Sequence, residues 1–280
     1  MMNDVKDITA GEKFDFCLLI PCFNNREGLA ASLKSIAYTS SSFLIVIVDD
    51  GSTMPVSARE MAGYTTGAVK IIRLVQNEGI TRALNKGLQW IVDNVNTPYV
   101  ARLDCGDICH QERFIKQVAL LDKNHTIVLS GSWCAFEDEE KGQKFTYRSP
   151  RQHNAIIRDM YFRNSFMHAS VMMRLTAVKE AGFYPVDYEY AEDYALFWIL
   201  CNRGEVYIIQ ERLVNCMLNR KGISFKNKNR QLKARLRVVR NLAPNSLYKL
   251  FGILKLYCLR LMPREFILRL KIFVDKMQRV

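Results

Sequence analysis

One pattern repeats through the first 110 residues: an apolar, β-branched run, a polar cluster, then an amphipathic stretch. The run "FDFCLLIPCFN" (14–24) stops at Pro21, and "FLIVIVDDGST" (43–53) ends in two aspartates, a glycine and a serine. "VKIIRLVQNEG" (69–79) ends in Asn77, Glu78 and Gly79, and "TPYVARLDCGD" (97–107) ends in Asp104 and Asp107. Between them, Leu29, Leu33 and Ile36 fall at helical spacing, and "ITRALNKGLQWIVDN" (80–94) reads as an amphipathic helix. Strand and helix in alternation specify a parallel α/β sheet. Open parallel sheets bind ligands beyond the carboxyl ends of their strands. The clusters Pro21–Asn24, Asp49–Ser52, Asn77–Gly79 and Asp104–Asp107 are therefore expected on one rim. No G-x-G-x-x-G follows the first run, which argues against a dinucleotide-dependent dehydrogenase.

The second half is less regular. Residues 125–138 read as a strand leaving the sheet, and 165–185 as a strand, a helix and a glycine stop. Residues 190–204 read as an acidic start to an apolar helix, and 206–220 as a strand. No internal repeat or low-complexity segment is present. The chain has 280 residues, enough for one large domain with or without an appendage. Its eight cysteines form no C-x-x-C pair and read as buried free thiols of a reducing compartment. The polar, mixed-charge start reads as no signal peptide, and no apolar run is long enough to suggest a membrane-spanning helix. Charge is unevenly spread: residues 220–280 carry 17 Lys/Arg and two acids, a net +15, which leaves −3 on the rest. A basic tail calls for a polyanionic partner.

Paired carboxylates on a shared rim suit a nucleotide-sugar site, where one accepts from base or ribose and another holds Mg²⁺ or Mn²⁺ against the diphosphate. "IPCFNN", "VIVDDGS", "NEGITRALNKGL", "ARLDCGDICHQERF", "HASVMMR" and "AEDYALFWIL" stand in the order found in inverting family-2 glycosyltransferases of the GT-A fold. The chain resembles that family, of the bacterial surface-polysaccharide type, over about residues 14–230. The resemblance implies a mostly parallel central sheet flanked by helices. It implies a catalytic domain over 1–220, with a donor half at about 14–110 and an acceptor half at about 111–220, followed by a basic helical tail over 221–280. It also implies roles. Pro21 to Asn24 would line the nucleotide pocket with Asp49 and Ser52, and Asp50 would accept from the uracil edge. Asn77, Gly79 and Arg82 would border ribose and phosphates. Asp104 would sit near ribose or metal, Asp193 would be the general base, and His168 and Glu192 would approach acceptor or phosphates. Where the family shows Asp-x-Asp-Asp, this chain has Gly106 at the third position. That leaves Asp104 or Asp107 to hold the cation, or Arg82 or Arg102 to replace it.

Local readings stand beside these. Asp49 to Ser52 also fit a turn, Asp107 a cap for a helix beginning near His110, and Glu192 a favourable charge at a helix N-terminus. His168 on an apolar strand also fits a core histidine. In the tail, 246–274 sets Leu, Ile, Phe and Tyr among single Lys/Arg, with Pro263 dividing two helices. That pattern fits an interfacial helix on anionic lipid better than a nucleic-acid surface. The expected activity is transfer of a sugar from a UDP-sugar to a lipid-linked surface glycan (capsule, O-antigen or lipooligosaccharide) on the inner, cytoplasmic face of the membrane. The partners expected are the nucleotide-sugar donor, the lipid-linked oligosaccharide acceptor and the anionic membrane, with no nucleic acid. A nucleotidyltransferase on the same rim, or a nucleic-acid-binding protein using the tail, are the alternatives. The first lacks its glycine- and Lys/Arg-rich loop in "PCFNNREG".

Overall fold

Each of the four apolar runs becomes a strand: β1 (Phe16–Cys22), β2 (Phe43–Asp49), β3 (Ala68–Arg73) and β4 (Tyr99–Arg102). The structure, a computed structural model, describes residues 12–39, 42–138, 142–218 and 227–277. Strands β3, β2, β1 and β4 lie side by side in that order, all parallel. Helix α1 (Arg26–Lys34) covers one face and α3 (Ile80–Asn94) the other, while the short α2 (Ala58–Ala62) precedes β3. Cover on both faces is why these strands are continuous apolar runs rather than alternating ones. Leu19, Val46 and Val48 pack toward Leu84, Leu88 and Ile91 of α3, whereas Leu18, Ile20 and Ile45 pack toward Leu29 and Leu33 of α1.

The second half extends the same sheet. Its elements are β5 (Ile108–Cys109), α4 (Arg113–Lys123), β6 (Ile127–Asp138), β7 (Gln143–Tyr147), α5 (His153–Met160), β8 (Met172–Arg174), α6 (Leu175–Glu180), α7 (Glu192–Cys201) and β9 (Glu205–Met217). The expectation that 125–138 leaves the sheet is corrected. Short β8 runs antiparallel between β4 and β6, so β6 stays in the sheet, and β9 joins it in parallel. The sheet is therefore mixed, with antiparallel pairings of β5 on β9 and β7 on β6 completing it.

Three helices form the basic segment: α8 (Lys228–Leu242), α9 (Leu247–Leu261) and α10 (Arg264–Met277), with the break at Pro263 as the sequence indicates. They do not stand apart. Leu232, Leu236, Val238 and Val239 of α8 are buried in the same core as Phe197, Trp198 and Leu200 of α7. Helix α9 lies against the body at Gly252, where a Cβ would come 2.2 Å from the Tyr161 carbonyl oxygen. A side chain there would push the helix off its seat. Among the described residues no helix is long and apolar enough to cross a membrane. Six cysteines are buried as free thiols, as expected, but Cys105 is half-buried and Cys258 exposed.

Candidate active site

The loops after β1, β2 and β3 lock to one another through the polar residues that the sequence put there. Asp49, at the end of β2, is fully buried; it accepts from Ser52 N at 2.9 Å, Val56 N at 3.1 Å and Arg73 Nη1 at 3.1 Å. Asp50 accepts from Glu78 N at 2.8 Å and Gly79 N at 3.0 Å, one to each oxygen, which holds the start of α3 against the end of β2. Ser52 Oγ accepts from Asn24 N at 2.9 Å, and Asn24 Oδ1 accepts from Thr53 N at 2.9 Å. The result is a cleft of about 430 Å³ lined by Cys22, Asn24, Asn25, Ser52, Thr53 and Met54. Asp49 thus builds the turn, and Asp50, buried, spends one hydrogen bond of each oxygen on the start of α3 and does not line the cleft. Pro21 accepts a hydrogen bond from Cys105 Sγ at 3.3 Å, joining the first and fourth clusters. Arg82, in the first turn of α3, is exposed and makes no ion pair among the described residues.

Asp104 is aimed from below. Arg102 is wholly buried, and its Nη2 donates to Asp104 Oδ1 at 2.6 Å. Its Nη1 donates to the carbonyls of Leu19 and Leu103, and its Nε to His168 Nε2 at 3.2 Å. With every nitrogen engaged, Arg102 is not available to a donor phosphate. His168 Nε2 also accepts from the Tyr184 hydroxyl at 2.8 Å. Burial, then the Arg102 guanidinium, pushes the imidazole down to about 4. His168 is therefore a neutral acceptor that ties Arg102 to Tyr184. Asn85 of α3 holds the Tyr184 backbone through two hydrogen bonds of 2.8 and 2.9 Å.

Asp107 stands differently. Its Oδ1 accepts from Met217 N at 3.2 Å, pinning the end of β9, and it does not cap α4, whose preceding residue is Glu112. Burial, then the Asp104 carboxylate, pushes Asp107 up to about 7. Gly106, at φ +100°, has only Asn25 Nδ2 within 4 Å of a would-be Cβ, at 3.9 Å. Among the described residues no three His, Cys, Asp or Glu side chains gather as a closed metal site. Among the described residues the second oxygen of Asp104 makes no hydrogen bond, and only Asn25 Nδ2 approaches the space over Gly106. Mg²⁺ and Mn²⁺ tolerate one or two carboxylates when phosphate and water fill the remaining positions. The donor set fits an ion of that kind through Asp104, with Asp107 as its neighbour.

Glu192 and Asp193 open α7. Asp193 Oδ2 accepts from Asn164 Nδ2 at 2.9 Å, and its Oδ1 from the Tyr194 backbone at 2.7 Å. Asp104 and Asp193 both lie within electrostatic reach of His168 and Tyr184. Burial, then the Asp193 carboxylate, pushes Glu192 up to about 7. The folded state holds this proton more tightly than the unfolded chain, so Glu192 costs stability as pH rises from about 4.5 through 7. Glu192→Gln removes that cost. The stability difference between variant and wild type is expected to grow by about 2–3 kcal/mol between pH 5 and 8. A difference in melting temperature that stays flat across that range would exclude the protonated Glu192.

Asn164, Asn25 and Tyr184 belong to the site although the sequence reading passed over them. Asn25 caps α1 through Gly28 N and reaches Cys105 O at 3.2 Å. The polar pair Asn164–Ser165 ahead of an apolar run was the only available sign of Asn164.

Residues 17–181 match the family described as Glycosyl transferase family 2. The chain is 35% identical over 196 residues to the amylovoran biosynthesis glycosyltransferase AmsE of Erwinia amylovora, covering 68% of this chain and 70% of that protein. Its fold matches that of S. aureus TarS 1-349 in complex with UDP-GlcNAc, with a TM-score of 0.66 at 14% identity over 87% of this chain and 72% of that one. It also matches the mannosyltransferase PcManGT from Pyrobaculum calidifontis in complex with GDP-Man and Mn²⁺, with a TM-score of 0.60 at 12% identity over 91% and 77%.

Proposed function

Because the chain belongs to glycosyl transferase family 2 and has the GT-A-type fold of its glycosyltransferase neighbours, we propose that it moves a sugar from a UDP-sugar to a hydroxyl of a lipid-linked glycan in polysaccharide assembly, with inversion at the anomeric carbon. The observation that carries this reading is the interlocked cleft after β1 and β2, joined to the Asp104 loop through Asn25 and Cys105, with Asp104 and Asp193 both within electrostatic reach of His168. The base and ribose occupy the cleft, near Asn24 and Ser52. The diphosphate runs toward Asp104, past Asn77, Gly79 and Arg82. Asp193 takes the proton from the acceptor hydroxyl. The acceptor oxygen bonds to the anomeric carbon as the bond to the diphosphate oxygen breaks, and the electron pair leaves with UDP. Asn164 fixes the Asp193 carboxylate for that transfer. Asp104 would hold a divalent cation, which would supply positive charge to stabilise the departing diphosphate. AmsE is named for amylovoran biosynthesis, and TarS was solved with UDP-GlcNAc. Both support a nucleotide-sugar enzyme of polysaccharide synthesis over the nucleotidyltransferase and nucleic-acid alternatives. In a panel of nucleotide sugars, release of nucleoside diphosphate is expected for a UDP-sugar. Release from GDP-sugars alone would change the donor, and release from none would remove the reading.

Peripheral membrane attachment completes the proposal. Leu247, Leu250, Leu254 and Leu261 of α9 are exposed on the side away from the buried Gly252 and Leu256. A chain ending at Asn245 keeps α8 in the core and is expected to stay folded. It is expected to lose binding to anionic vesicles, each Lys/Arg at such a surface being worth about 1 kcal/mol. Equal vesicle binding by the two chains would refute the attachment.

A further inference from the structure

Strand β9 carries more residues than the strand beside it can match. Ser132, Trp133 and Cys134 of β6 pair with Ile209, Arg212 and Val214, so Gln210, Glu211 and Leu213 are left over. Extra residues of this kind bend a strand and re-aim its side chains. Here they open a recess of about 610 Å³ lined by Trp133, Gln210, Arg212 and Asn215, with His110 and Glu112 from the turn between β5 and α4. That is the size of a small-ligand pocket.

The lining is fixed and partly unspent. Half-buried Trp133 donates through Nε1 to Ser149 O at 3.0 Å, and Gln210 Nε2 donates to the same oxygen at 3.1 Å, so one acceptor aligns the indole and the amide. Gln210 Nε2 also donates to Ile208 O at 3.0 Å. Among the described residues the Gln210 amide oxygen, the Asn215 side chain and the Arg212 guanidinium make no hydrogen bond or ion pair. The acids on the rim are taken: Lys116 Nζ bonds Glu112 at 3.0 Å and Glu211 as well. Glu112 and Glu211 therefore balance Lys116 and Arg212. Arg148, whose guanidinium lies 5.5 Å from the centre of the Trp133 ring, is matched by Asp275.

The recess stands on the rim of the proposed site. Strands β6 and β9 run in the direction of β4, because β8 is antiparallel to both β4 and β6. Ala101 of β4 pairs with Met172 of β8, and Met172 with Ser130 of β6. Trp133, three residues past Ser130, is thus level with Asp104, three past Ala101, two strand spacings or roughly 10 Å away. Supports are shared too. Ile108 and Cys109, next to Asp107, pair with Asn215 and Val214. Ser149 Oγ donates to Ser165 O at 2.7 Å, and Ser165 follows Asn164, which holds Asp193.

A flat indole beside unspent amide and guanidinium groups matches a sugar, whose C–H face lies on the aromatic surface while its hydroxyls meet the polar groups. Balanced charge disfavours a phosphate. A lining whose apolar members are Trp133 and Leu213 alone disfavours a lipid chain. We propose that this recess is a subsite for a neutral sugar of the acceptor glycan, other than the sugar whose hydroxyl reacts. The subsite deepens the transferase reading above and rests on it. Its role is to hold the acceptor at a second point, so that the reacting hydroxyl is presented to Asp193.

The test is ligand-observed saturation-transfer NMR on the full chain. The probes are the methyl glycosides of glucose, galactose, mannose and N-acetylglucosamine, with lactose, cellobiose and chitobiose, beside inorganic pyrophosphate and UDP. At least one saccharide is expected to bind, with the strongest transfer to its ring C–H protons. Asn215→Ala and Gln210→Ala are each expected to weaken that saccharide roughly two- to tenfold, the loss of a hydrogen bond. Trp133→Ala is expected to weaken it roughly tenfold or more and to remove the C–H signature, and every variant to keep UDP. Asn215 is exposed, so its variant tests the subsite even if Trp133→Ala fails to fold. Binding of none of the saccharides, or saccharide binding unchanged in Asn215→Ala and Gln210→Ala, would overturn the subsite while UDP binding left the donor reading standing. Pyrophosphate bound more tightly than any saccharide, and lost in Arg212→Ala, would overturn the sugar. Displacement of the saccharide by UDP would overturn its separation from the donor cleft. A chain that binds no UDP yet binds a saccharide through Asn215 would support the subsite while the donor reading fell.

Discussion

Asp193→Asn is expected to lower transfer by roughly 10²–10⁴-fold, the range for losing a general base, while UDP binding stays near wild type. The asparagine oxygen keeps one of the two hydrogen bonds that Asp193 accepts, from Asn164 Nδ2 or from Tyr194 N, and gives up the other. A melting curve near that of wild type would show that the loss of transfer is the loss of the base. Glu192→Gln is expected to fall far less, because Glu192, pushed up to about 7, is substantially protonated near neutral pH and faces burial rather than the acceptor. Single-turnover transfer with saturating donor separates the two acids. Near-normal turnover in Asp193→Asn with a collapse in Glu192→Gln would reverse their roles.

Chelation carries the other large effect. EDTA is expected to suppress transfer by on the order of 10²-fold or more, because a departing diphosphate needs its charge neutralised where it develops, and added Mn²⁺ is expected to restore it. Asp104→Asn should raise the Mn²⁺ concentration needed for half-maximal rate. Asp107→Asn should shift it much less, since that carboxyl serves Met217 N. Gly106→Asp is not expected to tighten the metal. At φ +100° an aspartate is strained whatever room surrounds it. Full activity in EDTA would assign the neutralising charge to a side chain. Arg102 is excluded by its buried, fully engaged guanidinium, so Arg82 would be the one to replace with alanine.

The first half was legible because its strands are covered on both faces. Burial on two sides demands unbroken apolar runs, and the polar residues that follow have no place but the rim. What those rim residues do was less legible. Asp49 and Asp50 read as ligand contacts, yet most of their capacity goes to backbone N–H groups of the neighbouring loops. A carboxylate that organises a loop and one that meets a nucleotide look alike in a sequence, and the partners differ only in space. Helix α8 misled in the opposite direction. Its six Lys/Arg mark it as tail, while Leu232, Leu236 and Val239 recur at helical spacing and enter the core. Two-residue β5 and three-residue β8 are too short to leave any period, which is why the return of β6 to the sheet was missed.

Arg102 carries a consequence for how this enzyme would appear to genetics. A buried guanidinium bonded to Leu19, Leu103, His168 and Asp104 cannot be removed without stranding several acceptors at once. Cells carrying Arg102 substitutions would lose glycan as completely as cells lacking Asp193, and a saturation screen scored on product would rank the two together. The causes would differ: one lesion empties the cell of folded enzyme and lets Asp104 drift, the other leaves a full complement of idle molecules. Abundance measured alongside product would sort them. By the same measure, His168 and Asn85, which hold this network through Arg102 Nε and the Tyr184 backbone, should fall with Arg102.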